Sequence, residues 1–291
     1  MFSGISSFDR RSLSATSFLC CPHCGCANIK KHGKEHGHQR WYCKDCHKTF
    51  AGRSDTILFS SKLKPGQLRR MLSLLSDGVL THQIAHQVKV SIQTVILWKR
   101  KLQHLVKTQE NIVLSGKIVV DETYIHVPAK ERSKIRKRGL SKDLMQIAVA
   151  VDEKGRSLAL LNGKGRASKQ DSEQIFRNHI APNSIVIHDK GWYGKAFGQC
   201  DEVAIDSQSR EAHALLNPIN RFCNTIQRLF KVHLRIHPHN IQKYLDEFVE
   251  RREIYDDEKY EDYFSKISQR IFESGKCLKR RELRLRQQHY C

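Results

Sequence analysis

The sequence predicts an α/β protein in which a mixed β-sheet with helices follows two smaller N-terminal modules. Three observations predict it. Apolar residues fall at helical spacing before Gly116 and in strand-like runs after it. Two CxxC pairs crowd the region just after the N-terminus. Basic residues outnumber acidic ones by 51 to 30, a formal charge of +21 over 291 residues. That length fits two domains with a small appended module, and 39% hydrophobic residues suffice for ordinary cores.

Residues 1–18 are Ser-rich and lack an apolar h-region, so they read as a disordered N-terminus rather than a signal peptide. Residues 19–52 hold Cys21-Pro22-His23-Cys24 and Cys43-Lys44-Asp45-Cys46, with 18 residues between Cys24 and Cys43. This is the spacing of a zinc ribbon. Tetrahedral zinc takes four soft ligands, which makes Cys21, Cys24, Cys43 and Cys46 the expected set. The module is too short to bury a core, so metal binding would supply its folding energy. Cys20 and Cys26 are alternates, and the surrounding histidines are expected to face solvent or phosphate. Close CxxC pairs point to metal in a reducing compartment rather than to disulfides, so a cytoplasmic protein is expected. No run of 18 apolar residues exists to span a membrane.

Residues 62–107 read as helices. Pro65 opens the first, Leu68, Met71, Leu72 and Leu75 follow at helical spacing, and Asp77-Gly78 ends it. Thr81 is the expected N-cap of a second helix carrying Ile84, Ala85 and Val88. Val90-Ser91 turns the chain, and Ser91 caps a third helix with Val95, Ile96, Trp98 and Leu102. The pattern fits a helix-turn-helix, with small Ala85 at the crossing. Gln93 and Thr94 would reach base edges in a major groove, while Lys99, Arg100 and Lys101 would contact phosphate and Trp98 would pack in the core. An ordinary three-helix bundle has the same periodicity. The basic surplus, which attracts polyanions, favours the nucleic-acid reading.

After Gly116 the candidate strands are Lys117–Ile125, Leu144–Val151, Ser157–Leu161, Ser184–His188 and Cys200–Ile205. Asp152-Glu153-Lys154-Gly155 reads as a hairpin turn. Helices are expected over residues 168–180, 217–230, 241–252 and 260–272, giving a core written β-β-β-α-β-α-(β)-α over residues 116–255. Residues 256–291 would be a C-terminal helix and basic tail. Asp121 falls on the first strand and Asp189 at the end of a later one. An acid buried there is costly unless paired or bound to metal. Two such acids on neighbouring strands can bridge divalent cations for in-line phosphoryl transfer, and hard oxygen ligands suit Mg²⁺ or Mn²⁺. Glu122 and His188 should face away from them by period-two geometry. Lys130 to Lys142, which includes Arg136, Lys137 and Arg138, reads as a DNA-contacting loop.

The runs Asp121-Glu122-Thr123-Tyr124-Ile125, Arg136 to Lys142, Asp171-Ser172-Glu173-Gln174, His188-Asp189 and Leu216-Asn217-Pro218-Ile219-Asn220 resemble, in this order, a branch of bacterial insertion-sequence DDE transposases. That branch also carries an N-terminal zinc ribbon and helix-turn-helix, and the resemblance covers about residues 20–252. It implies a ribonuclease H-like sheet and a catalytic set of Asp121, Asp189 and, in the Asn-bearing form of the family, Asn220. It further implies double-stranded DNA as partner, at terminal inverted repeats and at the target, and a homo-oligomer holding two DNA ends. A helix N-cap is the other reading of Asn220, and Glu211 is the fallback third acid. Where the family often has a His and a Lys on the same helix, this chain has Cys223 and Gln227, with Arg228 available for phosphate. These departures leave open a second expectation, a DNA-binding regulator or remnant without catalysis.

Overall fold

The structure, a computed structural model, describes residues 20–35, 38–51, 54, 56–59, 61–126, 143–165, 169–189, 197, 199–206, 210–232, 236–257, 266–267 and 270–271. The expected disordered N-terminus, the loop bearing Arg136, Lys137 and Arg138, and the basic tail lie outside the described residues, as does most of the expected helix over 260–272. The chain divides into two compact units, residues 1–105 with 259–291, and residues 106–258. Among the described residues no helix is long and apolar enough to cross a membrane.

In the first unit, β1 (Ile29–Glu35), β2 (His38–Cys43) and β3 (Thr49–Ala51) form an antiparallel sheet in that order. Helices α1 (Pro65–Ser76), α2 (Thr81–Val88) and α3 (Ile92–Gln103) follow. Pro65 occupies the first turn of α1, where its missing N–H costs nothing. The N-cap of α2 is Leu80 rather than Thr81, and no side chain caps that end. Lys89, with φ 56°, ends α2 in the left-handed region. Ser91 does cap α3, its hydroxyl accepting the Thr94 N–H at 3.2 Å. Leu68, Met71, Leu72, Ile84, Val88, Val95 and Trp98 are buried.

In the second unit, β4 (Lys117–His126), β5 (Leu144–Asp152), β6 (Ser157–Lys164), β7 (Ile185–Asp189) and β8 (Asp201–Ile205) form one mixed sheet of order β6-β5-β4-β7-β8. β4, β5 and β6 are antiparallel, while β7 and β8 run parallel to β4. With α4 (Lys169–Phe176), α5 (Arg210–Val232) and α6 (Ile241–Asp257), this is the ribonuclease H-like arrangement that the resemblance implies. The hairpin from β5 to β6 is built as expected. The Asp152 carboxylate accepts the N–H groups of Lys154 and Arg156 and pairs with the Arg156 guanidinium at 2.7 Å, and Gly155 takes φ +81°.

The described elements run β-β-β-α-β-β-α-α, and most of the segment between β7 and β8, where the expected order has a helix, lies outside the described residues. Two expectations are corrected. The helix expected over residues 168–180 stops at Phe176, after which Ile180 bridges to Leu114. Helix α5 begins at Arg210 and passes through Pro218. The proline removes one helical hydrogen bond, but Ala212, Leu216, Ile219, Phe222, Ile226 and Phe230 extend the buried stripe on both sides of it.

The sheet has two distinct faces. Ile125, Val119, Ile147, Val149 and Val151 pack with Ile219, Phe222, Ile226 and Phe230 of α5 and Leu245 and Val249 of α6. Ile118, Val120, Ala148, Ala150 and Val186 pack with Phe176 of α4 and with Phe197. The outer edge, β6, is closed by side chains. Gln109 donates to the Ala159 carbonyl and accepts its N–H, Gln242 accepts the Leu161 N–H, and both amides donate to Asp246 at 2.9 Å. A strand edge covered in this way no longer templates pairing with another chain.

Candidate functional site

The N-terminal sulfurs come together as the spacing requires. The Sγ atoms of Cys21, Cys24, Cys43 and Cys46 all lie within 4.8 Å of one another. Cys21 to Cys46 is 3.7 Å and Cys24 to Cys43 is 3.6 Å. A tetrahedron with Zn–S bonds of about 2.3 Å has S···S edges of about 3.8 Å, so this donor set fits zinc. The Cys43 thiol lies down at about 6. Burial opposes this shift, and the Cys46 N–H and the Cys26 thiol outweigh it. Cys24 and Cys46 are held up, at about 11 and about 12, so Cys43 takes the negative charge that its neighbours' thiols support, and zinc would have to displace their protons. Cys26 stands 3.0 Å from Cys43, a fifth sulfur beside the set of four. Among the described residues no histidine joins the cluster, and His47 instead contacts the Tyr42 hydroxyl at 2.8 Å.

The segment from α2 to α3 makes a helix-turn-helix with a three-residue turn, Lys89 to Ser91. Gln93 is exposed near the N-terminus of α3, and Thr94 is half-buried with its hydroxyl 2.9 Å from that of Ser91. Lys99 and Arg100 are half-buried. Trp98 is in the core at 3% exposure, as expected. Lys101 is a correction. It is buried, donates to the Ile57 carbonyl at 2.7 Å, and lies 5.2 Å from the Trp98 ring centroid. Its ammonium holds the fold rather than a phosphate, because α3 turns that side toward the segment before α1.

In the second unit β4 and β7 pair in parallel, Lys117 opposite Ile185, Ile118 opposite Val186 and Val119 opposite Ile187. Two residues further along each strand stand Asp121 and Asp189, abreast on neighbouring strands. Asp121 shares the face of Val119 and Ile125, toward α5. Glu122 lies on the other face with Tyr124, whose hydroxyl donates to it at 3.0 Å. The Asp121 carboxylate accepts the Glu122 N–H at 2.7 Å and lies 3.9 Å from the Cys223 sulfur. Burial, reinforced by the charges of Asp189 and Glu122, pushes the Asp121 carboxyl up to about 6, although the Glu122 N–H pulls it down. Burial and the neighbouring Asp121 hold the Cys223 thiol well above its usual range, so it faces the carboxylate as a protonated group. His188 is buried, with its Nε2 3.9 Å from Glu202.

Helix α5 sets what else faces the acids. Gln227 donates to the Thr123 hydroxyl at 3.0 Å, one turn beyond Cys223. The two side chains continue one stripe, so α5 tracks β4 with Gln227 over Thr123 and Cys223 over Asp121. Asn220 continues that stripe one turn earlier and is exposed. It lies ten residues into α5, so its reading as a helix N-cap is excluded. Arg228 is exposed on α5. The pairing of Gln227 with Thr123 was not foreseen. Its only sequence signal is the four-residue spacing from Cys223, matched by the two-residue spacing of Asp121 and Thr123.

The chain is similar to known proteins along both units. A family model described as an ISXO2-like transposase domain matches residues 113–253. The insertion element iso-IS1N protein InsA of Shigella dysenteriae is 32% identical over 77 residues, 26% of this chain and 81% of that protein. A protein in transposable element ISH50 of Halobacterium salinarum is 22% identical over 261 residues, 81% of this chain and 85% of its own length. Among solved structures, a pre-cleavage Mos1 transpososome is 13% identical with a TM-score of 0.29, over 72% of this chain and 76% of that one.

Proposed function

This chain belongs to the insertion-sequence transposases, and from that premise we propose that it binds the terminal inverted repeats of its own element and cleaves and transfers their strands. The observation that carries the proposal is the pair Asp121 and Asp189, abreast on parallel strands with Asp121 held up to about 6. Two acids at matching positions beyond the paired residues of β4 and β7, one half-buried and raised by the other's charge, form a site whose charge wants a cation. Mg²⁺ or Mn²⁺ bound there would stabilise the attacking and leaving oxygens of an in-line displacement and lower the pKa of a nucleophilic water.

The chain's own groups do the rest. Asp121 and Asp189 would hold the metal as charged oxygens, with Asn220 adding a neutral carbonyl oxygen. The Glu122 N–H fixes the Asp121 carboxylate, and the bond from Gln227 to Thr123 fixes α5 against β4. Arg228 and the loop bearing Arg136, Lys137 and Arg138 would contact phosphate. Gln93 and Thr94 would read bases, Lys99 and Arg100 would hold the backbone, and a structural zinc on Cys21, Cys24, Cys43 and Cys46 would fold the ribbon. The reaction joins two ends, so a homo-oligomer on DNA is part of the proposal, as is a cytoplasmic location.

A second reading, a repeat-binding protein without catalysis, is favoured by one observation: α5 presents Asp121 with a protonated thiol. The test is incubation with Mg²⁺ or Mn²⁺ and DNA carrying the repeats that flank the gene. Nicking at the repeat ends that Asp189→Ala abolishes supports the transposase. Binding to the repeats with no cleavage in either metal supports the second reading.

A further inference from the structure

The ribbon holds one more thiol than a tetrahedral zinc needs. Cys26 lies outside the set of four, yet its Sγ stands 3.0 Å from that of Cys43, nearer than the 3.6 Å of Cys24. The Cys26 carbonyl also accepts the Cys21 N–H at 2.7 Å, so backbone and sulfur tie this residue to two of the ligands. Its sulfur is provided for as theirs are. For each of the four ligands, the N–H of the residue two further on faces the sulfur: His23 for Cys21 at 3.4 Å, Cys26 for Cys24, Asp45 for Cys43 and Lys48 for Cys46. Asn28 does the same for Cys26. An N–H so placed favours the thiolate, which puts Cys26 in a ligand's setting. Gly25, between Cys24 and Cys26, takes φ +77° with open space where a side chain would stand. Cys21 and Cys43 are buried and Cys46 is half-buried, whereas Cys24 is exposed.

An exposed ligand is the one that electrophiles and oxidants reach first. We propose that Cys24 and Cys26 are interchangeable ligands at one corner of the zinc site, Cys26 taking the metal when Cys24 is modified or lost. Zn²⁺, with a filled d shell, imposes no bond directions that would resist the swap. The exchange keeps atoms and charge in balance. When a maleimide adds to the zinc-bound Cys24 thiolate, a carbon–sulfur bond forms and the carbon–carbon double bond opens. The Cys26 proton goes to the maleimide carbon, and the Cys26 thiolate completes four sulfurs on the metal. The proposal rests on the zinc reading of the ribbon and not on the transposase chemistry.

The test uses the full chain loaded with zinc. Cys24→Ser and Cys26→Ser are each expected to keep one zinc per chain, at an affinity within about tenfold of the wild type. The double variant should bind at least about 100-fold more weakly, beyond what removal of a partner outside the ligand set costs. With Co²⁺ in place of zinc, both single variants should keep the wild type's sulfur-to-cobalt absorption, which falls with each thiolate lost. Limited N-ethylmaleimide treatment of the wild type, read by native mass spectrometry and peptide mapping, needs no variant to fold. Zinc should stay on chains modified at Cys24 alone or at Cys26 alone, and leave those modified at both. Zinc loss from Cys24→Ser, or from chains modified at Cys24 but not at Cys26, overturns the proposal. So does a double variant that keeps its zinc and its cobalt absorption, which would place the fourth ligand elsewhere. A wild type that binds no zinc sinks the ribbon reading and the exchange with it. A wild type that binds zinc while Cys24→Ser does not sinks the exchange alone.

Discussion

Asp121→Asn tests whether the acid pair is built for a cation. In the wild type without divalent metal, the carboxyl is held at about 6 against an ordinary 3.8. A raised acid binds its proton more tightly folded than unfolded. The wild type is therefore most stable below the unfolded value and loses stability as pH rises from there through about 6. The difference corresponds to about 3 kcal/mol at pH 7.5, with about half of it expressed at pH 5. Asparagine keeps an oxygen for the Glu122 N–H and removes the charge. The variant should therefore melt several degrees higher than the wild type at pH 7.5, at about 2–4 °C per kcal/mol for a unit of this size. The advantage should shrink by about half at pH 5. Added Mg²⁺ should reverse the order, because only the wild type gains binding energy from it. The assay is thermal unfolding in buffers without added divalent cation and then with millimolar Mg²⁺. A chelator is left out so that the ribbon keeps its metal. A variant no more stable than the wild type at pH 7.5, or equally stabilised by Mg²⁺, refutes the reasoning.

Metal analysis of the purified chain should find one zinc, and Cys43→Ser should lose it together with repeat binding. Retention of zinc by that variant would count against the four-sulfur site. Lys101→Met should cost about 1–3 kcal/mol in denaturant unfolding by leaving the Ile57 carbonyl unsatisfied. It should leave the salt dependence of duplex binding unchanged, whereas Arg100→Ala should lower that slope by about 0.9; a lowered slope in Lys101→Met would restore its phosphate role. Gln109→Ala leaves the buried Ala159 N–H unpaired, while Gln242 still donates to the Ala159 carbonyl and to Asp246, a loss of about 1–3 kcal/mol. A cost under about 1 kcal/mol would mean that water replaces it at the edge.

What the sequence made legible was whatever depends on local periodicity. The strands from Lys117, Leu144 and Ser157, the turn at Gly155 and the cap at Ser91 each follow from a few adjacent residues, and each is found where expected, the third strand running three residues further, to Lys164. The four ribbon cysteines belong to the same class, since two CxxC turns dictate their own meeting. Three-dimensional partners were not legible. Lys101 looks like its neighbours Lys99 and Arg100, and nothing local says that the Ile57 carbonyl waits for it. Pro218 reads as a helix start because its cost is local, while the buried stripe that outweighs it runs from Ala212 to Phe230. The pairing of Asp121 with Asp189 could be anticipated as two acids on strands, but their standing abreast depends on the parallel register of β4 and β7.

The side of α5 that meets Asp121 and Thr123 bears on how the site works. A cation beside Asp121 would have lowered its carboxyl and made the folded site tolerable without metal. Instead Cys223 brings a neutral thiol and Gln227 spends its amide on Thr123. The thiol offsets part of the Asp121 charge by donating to it, but the mutual repulsion of the acids and the burial of Asp121 outweigh that bond and remain as a standing cost. On the proposed function a divalent ion would relieve both at once. A third acid on α5 would raise the metal affinity and also the cost of the empty site. Neutral Asn220 in that role would add an oxygen without the repulsion. Such an arrangement would trade affinity for a stable empty state, and occupancy should require more metal than a three-acid site needs. Asn220→Asp is expected to shift half-maximal nicking to lower Mg²⁺ while lowering the melting temperature without metal. A variant that moved neither would place Asn220 away from the ion.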